Sequence, residues 1–407
     1  MKIHKVCESN CTACNACITI CPKHCIEFEY GEADYTFATV DEEKCINCHA
    51  CERVCPNIKT VEKNVPKSCF AAWALDKKIR DEGASGGIAT VLYSCYSNLG
   101  YWCAGVRMTD AFEASYLLLA PNENKRDFSN SKYVYSNTNN IYREIENKLR
   151  DGQGVLFIGL PCQVAGLKNY INIVKCPGGK LITVDLICHG VIPEKMLKQH
   201  ISHLEHRKKF KAEKVLFRDP EYKTSSFTFT LKESNQVKYA KKAKQDDCYQ
   251  IGYHCGISYR ENCYHCKFAT PERVGDLTLS DFAYVGCAAP CKYTNENVSC
   301  IIVNTQRGRE ALDLVKRAHV AFLEERPLDE VLEKEHQLKS PTKEPPERYL
   351  FIRCYEKTHD FDYAMKKAAW KIMLKNNLYY FFRVQQIKKL LVRILPKRLI
   401  RSLKEII

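Results

Sequence analysis

The sequence predicts three successive regions: an α+β module over residues 1–64, a mixed α/β domain over 65–325, and an amphipathic helical tail within 326–407. Three observations predict this. Residues 11 to 55 hold two copies of one cysteine rhythm. Two apolar runs between residues 154 and 190 each end in a cysteine-bearing turn and pass into helical spacing. From residue 366 onward twelve bases stand against a single acid, Glu405, around a helically spaced apolar stripe.

The module is the most specific part. Cys11-x-x-Cys14-x-x-Cys17-x-x-x-Cys21-Pro22 is followed by Cys45-x-x-Cys48-x-x-Cys51-x-x-x-Cys55-Pro56. Each half is the bacterial ferredoxin pattern, in which three closely spaced thiolates hold three irons of a cubane and the fourth ligand comes from the opposite run. Cys11, Cys14, Cys17 and Cys55 are therefore expected to hold one 4Fe–4S cluster, and Cys45, Cys48, Cys51 and Cys21 a second. Zinc sites use two ligands from each short run, so zinc knuckles fit this rhythm poorly. A disulfide scaffold needs an oxidising compartment, for which the sequence gives no sign. Between the runs, Ile26–Tyr30 and Tyr35–Val40 alternate about Gly31 and read as a short hairpin. Cys7 and Cys25 fall outside the rhythm and read as buried thiols. Val61 to Lys67, with Pro66, reads as the linker out.

The 407 residues allow two or three domains, and 45% hydrophobic with 27% charged residues excludes global disorder. No secretory signal opens the sequence, and no uncharged apolar run reaches the ~18 residues of a membrane-spanning helix. With 24 cysteines, this leads us to expect a cytoplasmic protein whose thiols serve metal sites. The net charge of +14 belongs mostly to the tail, and the body is close to neutral.

Phe70–Ala74 reads as a strand. Ser85-Gly86-Gly87 then feeds a helical run from Ile88 to Ser97, an arrangement that suits a phosphate at a helix start or, equally, a plain turn capped by Ser85. Ser131 to Ser136 reads as a polar, aromatic loop or a surface strand. Gly154–Gly159 and Leu181–Ile187 are continuous apolar strands that end at Leu160-Pro161-Cys162-Gln163 and Cys188-His189-Gly190. Such strands predict a sheet buried on both faces, with ligands at the carboxyl ends, where Cys162 and Cys188 are candidate partners across one site. A β segment over 213–240 follows, and then Cys263-x-x-Cys266, a metal-grip spacing that is weak alone. Gly275-Asp276-Leu277-Thr278 comes next, then a strand over 298–304, a helix over 308–324 and a proline boundary at Pro341, Pro345 and Pro346.

Taken in order, Ser85-Gly86-Gly87, Gly159-Leu160-Pro161-Cys162-Gln163, Asp185-Leu186-Ile187-Cys188-His189-Gly190, Cys263-x-x-Cys266 and Gly275-Asp276-x-Thr278 resemble the coenzyme F420 hydrogenase/dehydrogenase beta subunit family. The resemblance covers about residues 65 to 325, and the N-terminal 2x(4Fe-4S) ferredoxin domain is a common fusion to it. It implies an α+β ferredoxin module followed by a mixed α/β flavoprotein domain, in an N-terminal part over 65–150 and a C-terminal part over 151–325, and then the tail over 326–407. It also implies FAD, with Ser85, Gly86 and Gly87 as flavin or phosphate contacts, and a third 4Fe–4S cluster on Cys162, Cys188, Cys263 and Cys266. Cys255, Cys287 and Cys291 are the substitutes for that set. Relatives continue with Asp-Phe-Trp-Gly where this chain has Asp281-Phe282-Ala283-Tyr284, so the resemblance leaves the electron acceptor open.

The function implied is an FAD-dependent iron–sulfur oxidoreductase. It would pass electrons between ferredoxin-type clusters and FAD, and on to or from a hydride carrier or reducible organic substrate. The alternative is a non-catalytic electron-transfer subunit feeding a separate enzyme. Expected partners are a redox donor or acceptor protein or reduced carrier, and a small organic substrate. No side chain stands out as a general acid; His189 reads as a proton donor or as a structural histidine. In the tail, Tyr380, Val384, Ile387, Leu391, Ile394 and Leu395 share one helical face, with Gln385, Lys389 and Arg393 opposite. That face suits peripheral contact with the inner face of the membrane, docking on the body, or self-association. No nucleic-acid motif accompanies the charge.

Overall fold

The computed structural model describes residues 10–291 and 297–381. The N-terminal module consists of α1 (Ala16–Ile20), β1 (Ile26–Tyr30), β2 (Thr36–Val40) and α2 (Ala50–Val54). β1 and β2 form the expected antiparallel hairpin, with Ile26 opposite Val40 and Tyr30 opposite Thr36. The Gly31 N–H donates to the Tyr35 carbonyl at 2.8 Å and closes the turn.

The elements that follow are β3 (Ser68–Ala74), α3 (Ile88–Asn98), β4 (Trp102–Met108), β5 (Ala114–Leu119), β6 (Ser136–Asn137) and α4 (Ile141–Arg150). Next come β7 (Val155–Gly159), α5 (Pro161–Ile173), β8 (Leu181–Leu186), α6 (Glu194–Lys208), β9 (Lys214–Leu216), β10 (Thr228–Glu233), β11 (Gln236–Lys242) and α7 (Cys248–His254). The last are β12 (Leu277–Asp281), β13 (Ser299–Val303), α8 (Gln306–Ala318), β14 (Ala321–Arg326), α9 (Glu347–Thr358), α10 (Phe361–Ala368) and α11 (Trp370–Phe381).

The main sheet runs β14-β3-β13-β12-β8-β7-β4-β5-β6, with β12, β8, β7 and β4 parallel to one another. β13 is antiparallel to β12, which makes the sheet mixed. The carboxyl ends of β7, β8 and β12 therefore share one edge, the place where ligands of such sheets gather. On one face α3 and α8 bury Val91, Leu92, Leu312 and Val315 against Phe70, Leu156 and Val184. On the other, α4 and α5 bury Ile145, Val164 and Leu167 against Val155 and Phe157. Ala16, Cys17, Val54 and Cys55 of the module belong to that same apolar cluster, so the module shares its core with the sheet.

A smaller sheet, β11-β10-β9, packs with α6, α7, α9 and α10. Here the structure differs from the expected tail. Phe351, Tyr355, Phe361, Ala364 and Met365 are fully buried, because their three- and four-residue spacing turns one face of α9 and α10 into this core. The helix expected over 308–324 also stops early. His319 takes the left-handed conformation (φ 51°) that ends α8, and Ala321–Arg326 pairs with β3 as an edge strand. Beyond Phe381, the tail residues assigned to an amphipathic helix lie outside the described residues, as does Cys7.

Candidate redox site

The two cysteine runs fold alike, position by position. Ala13 and Asn15 have positive φ in the first run, and Asn47 and His49 have it in the second. Left-handed backbone at two places per run curls each loop around its cysteines and points N–H groups inward. The Ala13 N–H donates to Cys11 Sγ at 3.3 Å, and its counterpart Asn47 N–H donates to Cys45 Sγ at 3.5 Å. N–H donors on thiolate sulfur are what a cluster ligand shell uses to set its potential. The short helices α1 and α2 then carry Cys17 and Cys51.

Burial first, and Cys55 next, push the Cys14 thiol up to about 12. Cys17 is pushed well up by burial and by Cys14, Cys11 and Cys55. Cys55 of the second run thus lies close enough to Cys14 and Cys17 to raise both thiols. Buried thiols in each other's field become thiolates only when a cation compensates them, so the donor set fits a metal cluster. Cys21, Cys45, Cys48 and Cys51 line a recess of their own. Cys25 lines it too, with its Sγ 3.4 Å from Cys21 Sγ. The rhythm of the sequence had excluded Cys25, and its CPxxC spacing from Cys21 was the only signal available.

Another recess lies at the carboxyl edge of the main sheet. Cys162 enters it from the first turn of α5, Cys188 from two residues beyond β8, Cys263 from the one-turn helix Glu261–Tyr264, and Cys266 from two residues beyond that helix. Burial pushes the Cys162 and Cys188 thiols well up, with Cys266 and Cys263 respectively as the next cause. Cys263 is pushed up to about 11 by burial and then by Cys266. Cys162 is oriented by its neighbour. The Gln163 side chain donates to the Ser136 carbonyl at 2.9 Å, and its oxygen accepts from Tyr116 Oη at 2.8 Å and from the Leu160 N–H at 3.3 Å. His189 and Tyr135 line the same recess.

The first cysteine set sits against this recess. A Cβ on Gly166 of α5 would lie 3.0 Å from Cys14 Sγ, so glycine is what lets the module approach the helix that Cys162 begins. Tyr135 Oη donates to the Ala13 carbonyl at 2.7 Å, and Arg260 Nη2 donates to the Cys11 carbonyl at 3.1 Å.

Residues 152–330 match the family model for the carboxyl-terminal part of the coenzyme F420 hydrogenase/dehydrogenase beta subunit, and residues 10–57 match the 4Fe-4S dicluster domain. A segment like that family's beta-subunit carboxyl-terminal part thus follows a segment like a dicluster ferredoxin domain. A solved structure, a chain of the xenon-derivatised F420-reducing NiFe hydrogenase complex from Methanosarcina barkeri, matches at 17% identity and a TM-score of 0.42 over 77% of this chain and 91% of that one. No curated protein matches.

The Ser85-Gly86-Gly87 turn lies on the same sheet edge but does not line the cysteine recess. Ser85 Oγ donates to the Val298 carbonyl at 2.7 Å, and the Gly86 N–H donates to Ser299 Oγ at 2.9 Å. A Cβ on Gly86 would strike the Ala72 carbonyl, and Gly87, at φ 80°, starts α3 with no side-chain cap. The turn is thus tied to β3 and β13, and what it can offer a phosphate is backbone at the uncapped start of α3. Cys255, Cys287 and Cys291 do not line the recess. Asp281 accepts from Arg218 Nη1 at 2.7 Å, Phe282 is buried and Tyr284 is exposed.

Proposed function

We propose that this chain is an iron–sulfur flavoprotein oxidoreductase. It passes electrons between ferredoxin-type clusters and FAD, and on to or from a hydride carrier or a reducible organic substrate. Cys11, Cys14, Cys17 and Cys55 hold one 4Fe–4S cluster, Cys45, Cys48, Cys51 and Cys21 a second, and Cys162, Cys188, Cys263 and Cys266 a third. Bound clusters supply one-electron transfer, and a flavin exchanges single electrons for a hydride. One observation carries the reading: four cysteines from three separate segments line a single recess, and Cys14 of the module abuts the helix that Cys162 begins.

The chain's own residues then divide the work. Gln163 fixes the turn that carries Cys162. The N–H groups of Ala13 and Asn47 stabilise charge on Cys11 and Cys45. Tyr135 and Arg260 hold the module's first loop against the recess. Cys48 and Ile46, both exposed at the outer end of the module, form the face that a redox donor or acceptor protein meets. Ser85, Gly86 and Gly87 place the start of α3 for the flavin phosphates through backbone alone.

Anaerobic purification of the full chain, with iron, sulfide and flavin quantified, tests this. About twelve irons and one FAD per chain support the proposal, whereas about eight irons and no flavin remove the third centre and the enzyme reading. The second of these outcomes would favour an electron-transfer subunit feeding a separate enzyme, a reading that the beta-subunit description of the matching family supports.

A further inference from the structure

Arg273 is almost completely buried, 2% exposed, and yet borders the cysteine recess. Its guanidinium is held on every side. Nε and Nη2 donate to Asp185 Oδ1 at 3.2 and 2.9 Å, Nη2 also to the Leu186 carbonyl at 3.1 Å, and Nη1 to the Phe268 carbonyl at 3.0 Å. Leu186 stands two residues before Cys188, and Phe268 two residues after Cys266. One side chain therefore ties together the two segments that bring Cys188 and the Cys263–Cys266 pair to the recess. Asp185, itself fully buried, accepts in turn from the Val274 and Gly275 N–H groups and from Thr278 Oγ1.

Desolvating an ion pair this deeply costs more than an apolar pair of the same volume, so stability alone does not account for it. Its placement does: Asp185 does not line the recess, whereas Arg273 does, and its guanidinium is bonded to carbonyls two residues from Cys188 and from Cys266. The fork of a guanidinium can hold two carbonyls and a carboxylate at once, which a lysine ammonium cannot do in the same geometry.

We propose that Arg273 is a positioning residue that fixes the spacing of Cys188 against Cys263 and Cys266, and whose charge makes the centre held there easier to reduce. This rests on the reading that these cysteines hold a 4Fe–4S cluster. The test uses the full chain purified without oxygen, the parent beside Arg273→Lys and Arg273→Met, with iron content, iron release to a chelator, and a potentiometric titration followed by electron paramagnetic resonance.

A parent with about eight irons overturns the cluster reading itself, independently of Arg273. With about twelve irons in the parent, Arg273→Lys is expected to keep the potential of the third centre and to release its iron several-fold faster. Arg273→Met is expected to shift that potential to more negative values, or to lose the third centre, while both module signals stay in place. Arg273→Lys indistinguishable from the parent in iron release overturns the positioning role. A third-centre potential in Arg273→Met equal to the parent's overturns the role of the charge.

Discussion

Gly166 shows how one missing side chain can decide how closely two segments approach. Alanine in a helix interior is favoured over glycine by about 1 kcal/mol, but here its Cβ would meet Cys14 Sγ at 3.0 Å and Tyr142 Oη at 3.2 Å. The two effects oppose each other in the metal-free chain, so Gly166→Ala should change the melting temperature little. A sulfur fixed by metal cannot step aside, so the same variant should lose iron from the first set. Iron analysis beside a thermal melt would separate the two effects. The sequence singled out Cys14 by its spacing and Cys162 by its place on a strand-end turn, but not the contact between module and domain, because a glycine 152 residues away from Cys14 carries no local signal of what it makes room for. Arg273 and Asp185 were hidden for a related reason. Apart from each other and Thr278, their partners are backbone carbonyls and N–H groups, which every residue has.

At the scale of elements, the clearest unplanned feature is the joint of α6, α7 and α10. His200 of α6 lies between Asp247, which caps α7, and Asp362 in α10, at 3.0 and 2.9 Å, all three almost fully buried. Burial alone would lower the imidazole, but the two carboxylates outweigh it and push His200 up to about 10. Because the folded value lies above the ordinary one, this contribution to stability is complete below about pH 6.5 and is lost as pH rises toward about 10. Denaturant unfolding from pH 6 to 10 should show that decline in the parent. His200→Ala, which leaves two buried carboxylates without their cation, should lower stability by about 3–5 kcal/mol near neutral pH.

The elements themselves were largely legible. The hairpin, the β7–α5 and β8–α6 units and their cysteine turns follow from period and turn chemistry. The strand Ala321–Arg326 did not, since its residues continue the apolar spacing of the preceding helix and only the left-handed His319 separates them.

For the whole molecule, the main error of scale concerned the region after residue 326. Charge made it read as an appendage, yet α9 and α10 complete a core with the small sheet. The apolar face left over is on α11, where Trp370, Leu374 and Leu378 are 53, 51 and 48% exposed beside Lys371 and Lys375. Among the described residues no helix is long and apolar enough to cross a membrane. A face of this kind, leading into a strongly basic sequence, suits the surface of an anionic bilayer. The full chain should therefore float with phosphatidylglycerol vesicles and not with phosphatidylcholine ones. Trp370→Ala with Leu374→Ala should reduce that binding several-fold, and raised salt should weaken it. Equal flotation with both lipids, or with neither, would leave docking on the body or self-association as the cover for that face.

The module's orientation also sets an order of decay. Cys48 faces solvent, whereas Cys14 and Cys17 are sealed between their own loops and α5. Air would corrode such a protein from the outside inward, and a partly bleached sample would be one whose innermost metal had survived while its terminal contact had gone.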